Sequence, residues 1–373
     1  MKRFCPQGPD WTLDWAAIDA RYAWVRLLRE CEQNPTYHRE GNVWIHTRMV
    51  CSALVENSIW RALPEAEREL VFVAALCHDI AKPACTRSEP DGSISARGHS
   101  SRGALMTRRL LWEMDFPFEQ REQIVNMVRY HQIPFWILDR DNPERMVSRI
   151  SWNTRCDHLA LLAEADIRGR ICDDADEILE RIELFRLLAE EQNCLRGPRI
   201  FPTEFARFCY LNGHRDYADE APYEDFSCEV FLLSGLPAAG KDHWVTHEKP
   251  GYPVISLDMV REQLGIRPEK PQGPVVSAAK AQAKTYLRAH QSFIWNATNT
   301  TRSMRSQLIE LFHGYRARVT LVYVESPRSL LFKGNRERER SVPEVVIDRL
   351  LNRWEVPDPY EAHAICYALR HCP

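Results

Sequence analysis

Residues 229–243 contain the clearest chemical motif of this sequence, a glycine-rich segment that reads EVFLLSGLPAAGKDH. Gly235, four further residues, Gly240 and Lys241 match the phosphate-loop pattern G-x-x-x-x-G-K-[ST] at every position but the last. Glycines let successive backbone N–H groups converge on an anion, and the lysine can bridge the β- and γ-phosphates of a nucleotide. The motif predicts a site for ATP or another nucleoside triphosphate with Mg²⁺, formed by Gly235, Ala239, Gly240, Lys241 and Asp242.

Asp242 departs from this pattern, because a Ser or Thr hydroxyl normally ligates Mg²⁺ at that position. A carboxylate there can hold the metal directly or through water, but its charge can also repel the triphosphate. The alternative for the whole segment is a plain glycine turn between a strand and a helix.

A second set of candidate residues consists of histidines and aspartates in the first half of the chain. They occur in the segments GNVWIHTRMV, AALCHDIAKP, ARGHSSRG, VRYHQIP and LAEADIRGR. Each alone is typical of a hydrogen-bonded structural residue, but adjacent polar groups at the end of an apolar helix are costly to bury without partners. Imidazole and carboxylate groups suit Mn²⁺, Ni²⁺, Co²⁺, Fe²⁺ or Zn²⁺, and the lack of a cysteine cluster argues against structural zinc. We predict a site for one or two divalent metals at His46, His78, Asp79, His99, His131 and Asp166.

Further charged residues stand where they could act on phosphate. Lys82 lies one helical turn beyond the His-Asp doublet and could contact a phosphate oxygen, although a surface lysine at a helix end is an equal alternative. Asp258 follows a short apolar run and could accept the proton of an attacking hydroxyl or cap the next helix, and Arg261 could bind an acceptor phosphate. Arg336 and Arg340 would share a helix face and suit a helix that closes over a triphosphate, but such runs usually form solvated, salt-bridged surfaces.

The segments that must position these residues predict two kinds of domain. Residues 1–195 contain recurring amphipathic runs with few strand signals, which favours an all-α antiparallel helical bundle. Residues 196–227 lose this periodicity and are interpreted as a connector with one short helix. Residues 228–373 alternate β-rich apolar runs with helical segments, which indicates an α/β domain with a parallel sheet and ligands at the carboxyl ends of its strands.

Composition is that of an ordinary globular protein, with 45% hydrophobic and 27% charged residues among 373. The net charge of −3 provides no overall cationic field, so any site for nucleic acid must be a local patch. The 12 cysteines form no C-x-x-C pair, which predicts reduced thiols in a cytoplasmic protein. We expect no signal peptide, because the N-terminus MKRFCPQGPDW lacks an apolar region, and no membrane partner, because no stretch approaches the ~20 apolar residues of a spanning helix.

The histidine and aspartate set resembles the HD-domain metal phosphohydrolases, whose signature is H…HD…D. The resemblance covers roughly residues 30–190 and implies that His46, the doublet His78-Asp79 and Asp166 are metal ligands. His99 and His131 stand at the spacing of the additional histidines found in many members of that family.

The second half of the chain resembles the P-loop polynucleotide 5′-hydroxyl kinases. Besides the phosphate loop, it shares D-x-x-R at 258–261, N-A-T-N at 296–299 and V-P-x-x-V-I at 342–347, where the second motif often starts with Asp in that family. The resemblance implies that Asp258 is the general base and that Arg261 binds the phosphate on the 3′ side of the acceptor. It also implies that Arg336 and Arg340 bind the phosphates of the donor nucleotide.

The order of the two halves is similar to that of bacterial bifunctional end-healing enzymes. The similarity implies that one domain transfers the γ-phosphate of a nucleoside triphosphate to 5′-OH ends of RNA or DNA. The other would remove 2′,3′-cyclic, 2′- or 3′-phosphates, so that a polynucleotide ligase could seal the strands. Two alternatives stay open at this stage: a small-molecule or nucleoside kinase fused to a nucleotide phosphohydrolase, and a nucleotide-sensing regulator.

Overall fold

The computed structural model describes residues 1–267, 269–338 and 341–370, which fall into two compact units divided between Ile200 and Phe201. The first unit is helical. Its helices are α1 Trp15–Arg21, α2 Trp24–Arg29, α3 Val43–Glu56, α4 Ser58–Ala62, α5 Glu65–Cys77, α6 Lys82–Cys85, α7 His99–Glu113, α8 Phe118–Tyr130, α9 Ile133–Trp136, α10 Pro143–Ser151, α11 Cys156–Arg168 and α12 Ala175–Glu191. Two 3₁₀ turns (Lys2–Phe4, Ile137–Asp139) and a small antiparallel pair, β1 Arg87–Ser88 with β2 Ile94–Ser95, complete this unit.

Helix α5 is the centre of the first unit. It packs against α3, α8 and α11, and every residue from 70 to 77 is buried. A helical segment that is apolar on all sides is stable only inside a core, so the run LVFVAALC at residues 70–77 explains this placement. The helix ends at His78, and the chain therefore delivers the His78-Asp79 doublet into the interior rather than to the surface.

The spacing of buried residues in helix α3 places His46, one of the predicted ligands, in the interior. Asn42 caps the helix by accepting a hydrogen bond from the Ile45 backbone N–H at 3.0 Å. The buried positions that follow include Val43, His46 and Val50, which are three or four residues apart and lie on one helix face. His46 therefore points into the core together with its apolar neighbours.

The second unit is a parallel sheet with helices. Its elements are α13 Glu204–Leu211, β3 Cys228–Ser234, α14 Lys241–Glu248, β4 Val254–Ser256, α15 Leu257–Gln263, α16 Gly273–Arg288, β5 Phe293–Asn296, α17 Arg302–Gly314, β6 Ala317–Glu325, α18 Arg328–Glu337, α19 Glu344–Leu351 and β7 Ala364–Leu369. The strand order is β4-β5-β3-β6-β7, and all four neighbouring pairs are parallel. Because all strands run the same way, the segments that leave β3, β4 and β5 start at one edge of the sheet.

The predicted fold class, a helical bundle followed by an α/β domain with a parallel sheet, is confirmed. The sequence analysis did not identify β7 or the short β1–β2 pair. The predicted connector is divided by the structure, since residues from Phe201 onward belong to the second unit. The reason is the short helix predicted there, now α13, whose Phe208 packs in the same core as Val230 of β3. Within the described ranges, no helix has the length and apolar character needed to cross a membrane.

A glycine at the end of α11 allows two helices of the first unit to approach closely. A Cβ atom at Gly169 would lie 2.6 Å from the backbone N and 2.8 Å from the Cα of Val50 in α3. The Gly169 carbonyl also lies 3.2 Å from Nδ1 of His46, so the same approach helps to place a predicted ligand.

We predict that Gly169→Ala lowers the free energy of unfolding of the first unit by about 1–3 kcal/mol, because backbone atoms must move to accept the methyl group. Thermal unfolding followed by circular dichroism measures this. The matched control is Gly197→Ala, where no atom lies within 4 Å of the added methyl group. Equal melting temperatures for the two variants would contradict the prediction.

Candidate metal centre and candidate phosphate cleft

The structure brings together all six side chains predicted as metal ligands, although they come from five different helices or helix ends. All six are buried. We call this set the metal centre: His46 on α3, His78 and Asp79 after α5, His99 at the start of α7, His131 after α8 and Asp166 on α11.

Three of the four imidazoles are oriented by the same local contact. Each donates a hydrogen bond from Nδ1 to the backbone carbonyl three residues earlier, at 2.7 Å for His78, 2.8 Å for His99 and 2.7 Å for His131. Since a carbonyl can only accept, Nδ1 carries the proton and Nε2 is left with its lone pair. This is the arrangement by which metal-binding histidines are usually held.

The carboxylate of Asp79 lies at the middle of the metal centre. Its Oδ2 is 3.2 Å from Nε2 of His78 and 3.6 Å from Nε2 of His46. Its Oδ1 is 3.3 Å from Nε2 of His99 and 3.9 Å from Nε2 of His131. Asp79 is thus shared by two groups of possible ligands, which is compatible with one ion or two.

The metal centre fits a divalent cation. Both Asp79 oxygens are buried, and among the described residues neither has a hydrogen-bond donor in suitable geometry. Lys82 Nζ lies 2.8 Å from Oδ2 and forms an ion pair with it. A buried carboxylate facing imidazole lone pairs is costly unless a cation lies among them. Burial alone would raise the pKa of Asp79, but the charge of Lys82 outweighs it and holds the pKa well below its usual range. Burial lowers the pKa of His131 to about 3, so His131 is neutral and its Nε2 can accept a metal.

Asp166 occupies a different position in the metal centre. Its Oδ1 lies 3.1 Å from Nε2 of His46, but both of its oxygens accept hydrogen bonds from Arg170, at 3.0 and 2.8 Å. Burial alone would raise the pKa of Asp166, but the charge of Arg170 outweighs it and holds the pKa well below its usual range. Arg170 was not predicted; it lies just beyond the end of α11, and its spacing of four residues from Asp166 was the available signal.

Lys82 lies at the metal centre and is buried rather than exposed at a helix end. Besides its contact with Asp79, its Nζ donates a hydrogen bond to Gln33 Oε1 at 2.6 Å. It also lines a cavity of ≈ 310 Å³, which we call the hydrolase cavity. Arg97 and Arg170 line the same cavity, so three basic side chains stand where a phosphate could reach the metal centre.

The glycine-rich loop between β3 and α14 has the backbone geometry that a phosphate cradle requires. A side chain at Gly235 would meet the carbonyl oxygen of Val324 at 2.3 Å, and Gly240 has a φ of +107°. Lys241 begins α14 and donates hydrogen bonds to the carbonyls of Gly235 at 3.0 Å and Leu236 at 2.9 Å. Burial lowers the pKa of Lys241 to about 8.

Residues 296–299 support this loop from the neighbouring strand. The Gly235 N–H donates to the Thr298 carbonyl at 2.8 Å, and Asn299 Nδ2 donates to the Leu233 carbonyl at 2.7 Å. Asn296, at the other end of the segment, donates a 2.7 Å hydrogen bond to Oδ1 of Asp242. The N-A-T-N motif therefore fixes the phosphate loop and also contacts the residue that replaces the usual Ser or Thr.

Asp258 and Arg261 line the same cavity as the phosphate loop, a space of ≈ 350 Å³ that we call the phosphate cleft. Asp258 is the second residue of α15, and Ser256 occupies the N-cap position, so the capping role considered for Asp258 is wrong. Asp258 is exposed and forms an ion pair with Arg261, whose Nε also donates to Gln272 at 2.8 Å.

The arginines at the end of α18 differ in their positions relative to the phosphate cleft. Arg336 is exposed on α18 and is not among the residues that line the phosphate cleft, while Arg340 lies outside the described residues. Arg338 lines the phosphate cleft, and its Nη2 lies 3.3 Å from Oδ2 of Asp242. Arg338 was not among the predicted site residues because the i, i+4 pattern favoured Arg336 and Arg340, whereas helix α18 ends at Glu337.

Two protein families match this chain in separate regions. Residues 43–180 match the family described as HD domain, and residues 230–357 match the family described as AAA domain. The chain therefore contains a helical region that matches the HD-domain family and, after it, a region with a five-stranded parallel sheet that matches the AAA-domain family.

Curated relatives match only parts of the chain. The CC-adding tRNA nucleotidyltransferase of Thermus thermophilus is 31% identical over 175 residues, which are 47% of this chain and 36% of that protein. The L-seryl-tRNA(Sec) kinase of Methanococcus maripaludis is 23% identical over 135 residues, 34% of this chain and 53% of that kinase. The chain thus spans about a third to a half of the length of these relatives.

Among solved structures, a sugar kinase from Janibacter sp. is 17% identical and aligns with 38% of this chain and 85% of its own, with a TM-score of 0.30. A gluconokinase from Sinorhizobium meliloti is also 17% identical and aligns with 40% of this chain and 86% of its own, with a TM-score of 0.29.

We predict that nucleotide affinity falls above about pH 8, because burial lowers the pKa of Lys241 to about 8 and only its charged form attracts phosphate. The charged form is complete below that pH and is lost above it, so affinity should level off on the acid side. On the alkaline side it should approach a decline of about tenfold per pH unit. Calorimetric titration with an ATP analogue and Mg²⁺ measures this. Lys241→Arg stays charged and should show no decline, and parallel pH profiles for both proteins would contradict the assignment.

We predict that Asp242→Ala raises the Mg²⁺ concentration needed for half-maximal phosphoryl transfer, because the variant loses a carboxylate that faces the phosphate cleft. Asp242→Asn keeps a partner for Asn296 but removes the charge, so it separates metal binding from support of the loop. An unchanged Mg²⁺ dependence in both variants would count against a role in metal binding.

Proposed function

We propose that this protein heals broken nucleic-acid ends. The second unit transfers the γ-phosphate of a nucleoside triphosphate to a 5′-OH end of RNA or DNA. The first unit removes a 2′,3′-cyclic, 2′- or 3′-phosphate from the opposite end with the help of one or two divalent metals. The product ends are those that a polynucleotide ligase joins, so a ligase is the expected functional partner.

The phosphate cleft is the observation that carries the kinase proposal. Lys241, Asp258 and Arg261 line one cavity, so a donor phosphate, a base and a cation for the acceptor are available within it. Mg²⁺ bound with the nucleotide would neutralise charge on the transferred group. Asp258 accepts the proton of the attacking hydroxyl, which requires that it exchange its ion pair with Arg261 for the substrate. Arg261 then binds the acceptor phosphate.

Donor phosphates are contacted by Lys241 and by arginines from the end of α18. Arg338 faces the phosphate cleft, and Arg336 and Arg340 from the same segment are proposed to assist when the triphosphate is bound. Arginine suits this task because its guanidinium group is always charged and binds phosphate through two hydrogen bonds.

In the first unit, the metal centre is proposed to act as a phosphohydrolase site. A divalent metal held by these histidines and aspartates would lower the pKa of water and neutralise phosphate charge. Lys82, Arg97 and Arg170 line the hydrolase cavity and hold the phosphate of the strand end by charge-assisted hydrogen bonds. Recognition of a terminal phosphate requires no contact with base edges, so a sequence-reading module is unnecessary.

Similarity to two proteins named for their tRNA substrates supports a nucleic-acid substrate over a free nucleoside. The direct test is incubation with labelled ATP, Mg²⁺, Mn²⁺ and a strand that carries a 5′-OH end and a 2′,3′-cyclic phosphate end. We expect both termini to change. Faster phosphorylation of free nucleosides than of 5′-OH oligonucleotides would overturn the proposal in favour of a small-molecule kinase, and nucleotide binding without turnover would favour a regulator.

We predict that the two activities are separable by single substitutions. Asp258→Ala removes the proposed base and should lower kinase activity by about 10²–10⁴-fold while phosphate removal continues. Asp79→Asn removes the shared carboxylate and should abolish phosphate removal while kinase activity continues. Both reactions are scored on the same labelled strand, and loss of both activities in either variant would refute separate sites.

A further inference from the structure

Glu40, in the segment before α3, is tied to the metal centre by hydrogen bonds that its position in the sequence does not reveal. Its side chain is fully shielded from solvent. Oε1 lies 2.7 Å from Nδ1 of His38 and 3.0 Å from Nδ1 of His46, and Oε2 accepts a 2.9 Å hydrogen bond from the Ile171 backbone N–H. One carboxylate therefore contacts two imidazoles and the segment that follows α11.

These contacts determine which nitrogen of each imidazole carries a proton. An ionised carboxylate only accepts hydrogen bonds, so both Nδ1 atoms must be donors. The Gly169 carbonyl, 3.2 Å from the same atom of His46, requires the same assignment. The Nε2 lone pair of His46 is then directed to the metal centre, where it lies 3.2 Å from Nε2 of His78 and 3.1 Å from Oδ1 of Asp166.

The imidazole of His38, the other partner of Glu40, connects this carboxylate to the hydrolase cavity. His38 lines that cavity, and its Nε2 lies 3.4 Å from Nζ of Lys82. With Nδ1 bound to Glu40, this Nε2 atom accepts a hydrogen bond from the lysine ammonium group. Gln33 accepts another at 2.6 Å, so the position of the ammonium group depends on both side chains.

We infer that Glu40 is a positioning residue that presents His46 to the metal and, through His38, directs Lys82 toward the substrate phosphate. The inference deepens the hydrolase half of the proposed function and rests on it. A carboxylate that orients a metal-binding histidine also makes its other nitrogen a better donor to the metal, and loss of such a partner typically weakens metal affinity by about 10–100-fold.

A third metal site at His38, Glu40 and His46 is the competing explanation, because their ligand atoms lie within 4.8 Å of one another. The hydrogen bonds argue against it. Both Nδ1 atoms carry protons that point at Glu40, so neither has a lone pair free for an ion. The two explanations differ in metal stoichiometry, which the test below measures.

The test is titration of metal-free protein with Zn²⁺ in competition with a chromophoric chelator, with no phosphoester substrate present. Glu40→Gln keeps the size of the side chain but replaces one acceptor oxygen by an NH₂ donor. That donor must face either the imidazole Nδ1–H groups or the Ile171 N–H, which are donors themselves, so at least one hydrogen bond is lost. We expect the dissociation constant to rise about 10–100-fold at unchanged stoichiometry. Glu30→Gln, the same change at an exposed residue directly after α2, should leave the dissociation constant as in the unaltered protein.

Several outcomes would overturn the inference. An unchanged dissociation constant in Glu40→Gln means that Glu40 does not position His46, and loss of one whole equivalent of Zn²⁺ means that it is itself a ligand. If Glu40→Gln fails to fold, Glu40→Asp keeps the charge but shortens the reach, and the same shift in smaller degree is expected. If the unaltered protein binds no metal, the hydrolase half of the proposed function fails instead, so the two failures are distinguishable.

Discussion

The first unit depends on one buried charge, the carboxylate of Asp79. Residues 70–77 of helix α5 are apolar on all sides and must lie in the core, so the polar doublet at the end of this helix is carried into the interior. A carboxylate without hydrogen bonds is costly there, and the surrounding imidazoles present lone pairs rather than protons. Because the carboxylate is buried and the histidine lone pairs face it, this site needs additional positive charge to be stable. Lys82 and Arg170 supply part of that charge, and a divalent metal would supply the rest.

In the second unit, the candidate site depends on backbone geometry rather than on a buried charge. Parallel strands place the segments after β3, β4 and β5 at one sheet edge, and that edge contains the phosphate loop, the Asp258-Arg261 pair and the N-A-T-N segment. The loop needs positive φ angles and a close approach to Val324, which only glycine permits at position 235. Hydrogen bonds from the neighbouring segment hold the loop in place before any nucleotide arrives.

Sequence patterns predicted much of both sites but failed where a role depends on a distant partner. The six side chains of the metal centre were predicted because polar residues at apolar helix ends are unusual locally, and Lys241 because its loop has a fixed spacing. Glu40 lies in an irregular segment, and its partner Ile171 is 131 residues away, so no local signal marked it. Arg338 was missed for a related reason: helical periodicity favoured its neighbours, but the helix ends just before it.

Short-range periodicity, glycine geometry and residue chemistry were sufficient to predict the fold class, the phosphate loop and a candidate set of metal ligands. The contacts between remote segments came from the fold: which Asp79 oxygen faces which histidine, that Asp166 pairs with Arg170, and that Asp258 lies in a helix beside Arg261. Such contacts depend on the distances between segments that are far apart in the chain, and these distances are set by tertiary packing rather than by local sequence patterns.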